Sequence, residues 1–321
     1  MSSDNSVPVK PLPVLKADPP HTTQSTIVKS WVTLPSKSNN GPEFFTVQYQ
    51  PPSSTTYKGS ILVVHGFAEY YELYSRILDD LCQQGYEVFY FDQRGSGHTS
   101  PGKYKGKSNE YYTFKDLEHM VELRLQEVDK RDNKKLYLLG HSMGGGIILN
   151  YLVYGNNRDK LAGAICCAPL VDLHPDTKPN VILRTLASTL NFFVPNFKID
   201  SDLTLERITT DPEWQEFLLS NKDISKTVGT VSLFHGMFQR GSKLLDPDHL
   251  KNQEKKVPIL IVHGEDDKIN DYKASEKFVN MTPAEDVTLK GFSGTGHSLF
   301  LERPEVYEQV TKTVFEWLES H

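Results

Sequence analysis

Ser142 lies within Gly140-His141-Ser142-Met143-Gly144, a G-x-S-x-G pattern followed by Gly145 and Gly146. A serine hydroxyl is a weak nucleophile until a base removes its proton. The pattern comes directly after the apolar run Leu136–Leu139 and directly before a helical segment. That strand–turn–helix context predicts a sharp turn that holds the serine in a strained backbone conformation. Small neighbours are needed where the helix crosses close to the strand, which accounts for the glycines.

In such a site the acid and then the histidine follow the serine along the chain. Val262-His263-Gly264-Glu265-Asp266-Asp267 follows a buried-strand run, and Gly294-Thr295-Gly296-His297-Ser298 follows the strand-like Val287-Thr288-Leu289. His297 is the expected base. Asp266 and Asp267 both stand where the acid should be. Neighbouring side chains point different ways, so only one of them can reach the imidazole. The 125 positions from Ser142 to Asp267 leave room for an insertion, and the 30 from Asp267 to His297 hold one helix and one strand.

Acyl transfer also needs backbone N–H groups aimed at the oxyanion. Met143, the residue after the nucleophile, should supply one. The loop His65-Gly66-Phe67-Ala68-Glu69 after the strand Ile61–Val64 should supply the other through Phe67. His65 has no partner at metal-ligand spacing. Asp92-Gln93-Arg94-Gly95 reads as a structural turn.

These residues require elements to hold them. Ser30–Leu34 and Phe44–Tyr49, with Asn39-Asn40-Gly41-Pro42 between, predict a hairpin. The apolar runs Ile61–Val64, Val88–Phe91, Leu136–Leu139, Ala164–Cys167 and Ile259–Val262 predict strands covered on both faces. Phe114, Leu117, Val121, Leu125 and Val128 mark one amphipathic helix, and Val306, Val310, Val314 and Trp317 after Pro304 another. Strand–helix alternation predicts a mostly parallel α/β sheet with helices on both faces. It breaks between about Asp172 and Leu250, where no strand is evident and helices are predicted at Val181–Val194 and Thr227–Phe238. The expected organisation is a Pro-rich flexible arm at 1–25, an α/β core at 26–171 and 251–321, and an all-helical cap insertion at 172–250.

Composition narrows the function. The net charge is −6 with 24% charged residues and no Lys/Arg run, a poor profile for nucleic-acid binding. Cys82, Cys166 and Cys167 include no C-x-x-C pair, so neither a disulfide framework nor a zinc site is expected and a reducing compartment fits. No apolar run reaches the ~20 residues of a membrane span. Asp4, Lys10, Lys16 and Asp18 interrupt any secretory signal.

The chain resembles the serine α/β-hydrolases and, within them, the fungal (yeast-type) monoacylglycerol lipases. The resemblance runs from about Ser30 to Leu318. It rests on Val64-His65-Gly66-Phe67-Ala68-Glu69-Tyr70, Phe91-Asp92-Gln93-Arg94-Gly95, Gly140–Gly146 and His263-Gly264-Glu265-Asp266-Asp267-Lys268-Ile269-Asn270-Asp271. It implies that Asp267, fourth in a Gly-x-x-Asp turn, is the acid. It also implies that Phe67 and Met143 form the oxyanion hole, and that Glu69 faces the glycerol hydroxyls. The implied reaction is hydrolysis of monoacylglycerols to fatty acid and glycerol under a helical cap, with no metal or organic cofactor.

Several positions depart from the family pattern. Leu73 and Phe300 replace an arginine and a histidine of the mammalian branch, and 172–250 lacks that branch's cap cysteines. The common G-H-G-x-S turn becomes Gly95-Ser96-Gly97-His98-Thr99. Leu183, Leu186, Leu190, Phe192, Phe193, Val194, Leu233, Phe234, Met237 and Phe238 are the apolar stock for an acyl tunnel; any that face outward would suit a lipid surface. Transient docking on membranes or lipid droplets from the cytoplasm is expected, with no help from net charge toward anionic lipids. The competing readings are a broader carboxylesterase acting on ethyl esters or lysophospholipids, and a catalytically dead binding scaffold.

Overall fold

The computed structural model describes residues 15–35, 41–178, 188–201 and 203–321. An eight-stranded sheet forms the centre, in the order β1-β2-β4-β3-β5-β6-β9-β10. Its strands are β1 (Thr26–Thr33), β2 (Glu43–Gln50), β3 (Gly59–Val64), β4 (Tyr86–Phe91), β5 (Leu136–His141), β6 (Gly163–Cys167), β9 (Ile259–Gly264) and β10 (Val287–Phe292). β2 pairs antiparallel with both neighbours, and the pairings from β4 across to β10 are parallel. β1 and β2 form the predicted hairpin; Asn39 and Asn40 of its turn lie outside the described residues.

Strand alternation divides the core between the two faces. Ile61, Val63, Tyr137 and Leu139 pack on one side with helices α1 (Ser75–Gln83) and α7 (Pro304–Ser320). Leu62, Val64, Leu136 and Leu138 pack on the other with α2 (Glu110–Val128), α3 (Met143–Tyr154) and α6 (Tyr272–Met281). Burial on both faces is why these strands are apolar throughout rather than alternating. The predicted stripes on α2 and α7 are the faces turned to the sheet.

β3 connects to β4 on one side, and the chain then crosses back to β5 on the other side of β3. Strand order reverses at the β3–β5 crevice, which makes its carboxyl end the natural ligand site of an open parallel sheet. The loops carrying Phe67 and Ser142 flank this crevice. Asp267 and His297 follow β9 and β10 at the same end.

Between β6 and β9 the chain leaves the sheet. Helical residues 188–193, α4 (Pro212–Ser220) and α5 (Val231–Lys243) occupy this insertion. It is not all-helical: β7 (Lys198–Asp200) and β8 (Val228–Thr230) form an antiparallel ribbon. Three-residue strands are too short to show an alternating pattern in sequence. β8 also moves the start of the second predicted helix from Thr227 to Val231, where Thr230 caps it by accepting Leu233 N–H. The predicted helix at 181–194 lies outside the described residues up to 187.

Residues 1–14 also lie outside the described residues, but 15–25 are held against the body rather than free. Lys16 N–H donates to Asn221 Oδ1 at 2.8 Å, and Gln24 and Ser25 N–H groups donate to the Asp79 carboxylate at 2.9 Å. Asp79 and Asn221 are distant in sequence, so composition alone gave no sign of them.

Candidate active site

Ser142 stands between β5 and α3 at φ 53°, ψ −119°, a left-handed position that non-glycine residues rarely occupy. Its N–H donates to Cys167 O, and its carbonyl accepts from Gly146 and Leu170 N–H. These bonds over-determine the turn and so hold the strain. The expectation of small neighbours is borne out. A Cβ on Gly144 would lie 1.9 Å from Val64 O, and one on Gly140 2.7 Å from the Gly144 backbone.

His297 Nδ1–H donates to Asp267 Oδ2 at 2.7 Å, which in the neutral tautomer leaves Nε2 as the nitrogen free to accept a proton. Asp267 is buried and accepts three further bonds: His263 Nε2–H at 3.1 Å on the same oxygen, and Ile269 and Asn270 N–H at 2.7 and 3.0 Å on Oδ1. Burial works against its ionisation, but the His297 ring and the histidine hydrogen bonds outweigh it and hold the carboxyl below the usual range. Asp266, the other candidate acid, is exposed. Ser142 and His297 border one cavity but are not hydrogen-bonded to each other.

The N–H groups of Phe67 and Met143 have no protein acceptor among the described residues. Met143 begins α3, so its N–H is one of the unpaired donors of a helix N-terminus. The Phe67 loop is fixed from behind by His65, whose ring nitrogens bond Gly66 O and the Gln93 N–H. Burial pushes the His65 pKa down to about 4, so the ring is neutral and structural. The Asp92–Gly95 turn is structural too. Asp92 accepts from Tyr71 N–H, Tyr90 O–H and His98 N–H, while Arg94 grips Asp116 through two nitrogens. Thr99 supplies the hydroxyl of that turn, donating to Asp92 O and accepting Phe45 N–H.

Glu69 borders the cavity, but its carboxylate is already engaged. Oε2 accepts Gly66 N–H at 2.5 Å and the Tyr74 hydroxyl; Oε1 accepts His141 Nδ1–H at 2.7 Å. His141 Nε2–H donates to His297 O at 3.3 Å. Both His141 nitrogens face acceptors, which favours the protonated ring. Burial opposes that charge, and Glu69 outweighs it and raises the pKa. Burial likewise works to raise the Glu69 pKa, but His141 and the hydrogen bonds bring it down to about 2. The sequence reading missed His141, although it stands inside the G-x-S-x-G motif. It also missed Tyr74, His263 and Asn270.

The cavity is about 360 Å³, within the range of small-ligand sites. Leu170 lines it, together with Leu190, Ile199, Ile208, Leu218, Phe234, Met237 and Phe238 of the insertion. Three residues of the expected tunnel stock turn away: Phe192 and Phe193 are 79% and 72% exposed, and Val194 is exposed as well. Leu233 packs into the core instead. Leu183 and Leu186 lie outside the described residues.

A family profile described as serine aminopeptidase, S33, matches residues 55–304. Monoglyceride lipase of Saccharomyces cerevisiae is 42% identical over 82% of this chain and 85% of its own. A putative monoglyceride lipase of Schizosaccharomyces pombe is 36% identical over 81% of this chain and 67% of its own. The crystal structure of a soluble variant of the Saccharomyces cerevisiae lipase in complex with a substrate analog superposes with a TM-score of 0.86. That match is at 38% identity and covers 94% of this chain and 97% of the other. The chain therefore belongs to the serine aminopeptidase S33 family of α/β-hydrolases, in the branch that contains the fungal monoglyceride lipases.

Proposed function

We propose that this enzyme hydrolyses monoacylglycerols to fatty acid and glycerol through an acyl-enzyme at Ser142. The observation that carries the reading is an apolar cavity bordered by a strained serine and an aspartate-oriented histidine. The branch's lipases supply the substrate class. In this reading Ser142 Oγ attacks the ester carbonyl carbon as His297 Nε2 takes the hydroxyl proton. The carbonyl electron pair moves onto oxygen, facing the Phe67 and Met143 N–H groups. The ester C–O bond then breaks, and glycerol leaves with the proton from His297. Water repeats the sequence on the acyl-enzyme, and Asp267 stabilises the imidazolium at each stage.

The insertion at 172–250 is the cap in this reading, and its apolar wall takes the acyl chain. Glu69 is the acidic group at the glycerol end. Each carboxylate oxygen has two lone pairs, so Oε1 keeps one for a substrate hydroxyl while His141 occupies the other.

The outward residues Phe192, Phe193, Val194 and Phe197 fit a lipid surface better than solvent. Lys198 beside them donates to Lys103 O and lies within electrostatic reach of Lys107 and Lys226. The negative net charge is therefore not the local charge, and docking on membranes or lipid droplets gains a basic rim.

The test is hydrolysis of a long-chain monoacylglycerol beside the ethyl ester and triacylglycerol of the same chain. A clear preference for the monoacylglycerol is expected. Equal rates on the two simple esters would make the enzyme a general lipid carboxylesterase instead.

A further inference from the structure

Asn270 is the one side-chain donor on the nucleophile among the described residues. Its Nδ2 lies 3.5 Å from Ser142 Oγ and 2.8 Å from Ala168 O. The two amide protons thus go to two acceptors, and the Ala168 carbonyl fixes which end of the amide faces the serine. Ala168 itself is held at φ 43° with its N–H on Val262 O, so that carbonyl is a fixed anchor. The Asn270 side chain is 1% exposed, and its backbone N–H donates to Asp267 Oδ1. One residue therefore touches the acid through its backbone and the nucleophile through its side chain.

We infer that Asn270 is a further positioning residue of the reaction: its amide donates to Ser142 Oγ and directs the hydroxyl proton toward His297. This rests on the serine-hydrolase reading of the site. An oxygen that accepts from Asn270 has its hydrogen left to donate elsewhere, and His297 Nε2 is the unprotonated acceptor bordering the same cavity. As that proton leaves, charge builds on Oγ and the amide contact shortens and strengthens. Long contacts at rest that tighten along the reaction are usual in unliganded sites. An amide suits this position because a carboxylate would repel both Ala168 O and the developing alkoxide, while an aliphatic group would donate nothing.

The experiment compares wild type, Asn270→Ala, Asn270→Asp and Ser142→Ala. The readouts are kcat and KM on a soluble short-chain ester, the rate of Ser142 labelling by a fluorophosphonate across pH, and thermal unfolding. The expected result for both Asn270 variants is a fall in kcat and labelling rate of about tenfold, with KM within about twofold. Asn270→Asp should also move the acid limb of the labelling profile to higher pH, because its carboxylate stabilises the His297 imidazolium. Asn270→Ala should leave that limb in place. Wild-type labelling rates in both variants would overturn the inference. So would losses that track a lowered unfolding temperature and a raised KM without a shift of the limb, since those describe a residue that only supports Ala168. If Asn270→Ala fails to fold, the isosteric Asn270→Asp carries the test. Full turnover in Ser142→Ala would defeat the serine reading itself, whereas a dead Ser142→Ala beside an unimpaired Asn270→Ala would defeat only this inference.

Discussion

Glu69 and His141 form a buried pair that links two parts of the site. Glu69 holds the Gly66 N–H that precedes the Phe67 donor, and His141 holds the carbonyl of His297. The Glu69 pKa falls from its ordinary 4.5 to about 2. A depressed carboxyl contributes stability above its unfolded pKa and loses it as pH falls through the folded value. His141 is raised, so its contribution is present below its ordinary value and fades as pH rises through the folded one. Glu69→Gln should therefore lower the unfolding temperature at pH 5–6, with the gap to wild type closing between about pH 4.5 and 2. Thermal melts across that range check it; a gap independent of pH would argue against the pair. The motifs made Ser142 and His297 legible as candidates because each sits in a short glycine-bounded turn, whereas the choice of Asp267 over Asp266 came only from the resemblance. Glu69 was legible only by resemblance. His141 and the Asn270 side chain were not legible, because their partners come from turns after other strands and no local spacing encodes such contacts; His263 bonds Asp267 and Ser275 within its own strand–turn–helix unit, and no motif marks that pairing.

At the level of elements, the Ser142 turn forms because α3 can pass very close to β3. Gly144 is the contact point, and a methyl group there would collide with the Val64 backbone rather than with a movable side chain. Gly144→Ala should destabilise the fold by roughly 1–3 kcal/mol and separate Ser142 from the Phe67 loop. Unfolding temperature and specific activity should both fall; wild-type activity with an unchanged melt would contradict the close-packing argument. The sheet strands were readable from continuous apolar runs, and α2 and α7 from their stripes. The β7–β8 ribbon was not readable. Lys198-Ile199-Asp200 and Val228-Gly229-Thr230 are too short for periodicity, and they pair across 27 intervening residues. Phe192 and Phe193 count as tunnel stock in sequence because apolar character there does not say which side a residue faces; the structure turns both outward.

Across the whole molecule, the sheet places every group of the candidate site at the carboxyl end of its strands, and residues of the insertion line the apolar side of the cavity. The outer surface of that insertion carries exposed Phe192, Phe193 and Phe197 beside Lys198. Phe192→Ser/Phe193→Ser should lower co-sedimentation with vesicles of zwitterionic and anionic phospholipid while leaving turnover of a soluble short-chain ester near wild type. Lys103→Glu/Lys198→Glu should weaken binding mainly to the anionic vesicles, and added salt should have the same effect. Unchanged binding in both variants would remove the lipid-docking reading and leave the catalytic one standing.

The central claim is that Ser142 is the nucleophile of a monoacylglycerol hydrolase. Its most direct test is glycerol release from a long-chain monoacylglycerol by wild type and by Ser142→Ala, at matched concentration and with matched unfolding temperatures. The predicted result is rapid release by wild type and a loss of about 10³-fold or more in the variant, which would retain only what binding and the oxyanion donors supply. Glycerol release by Ser142→Ala at a rate close to wild type would contradict the account.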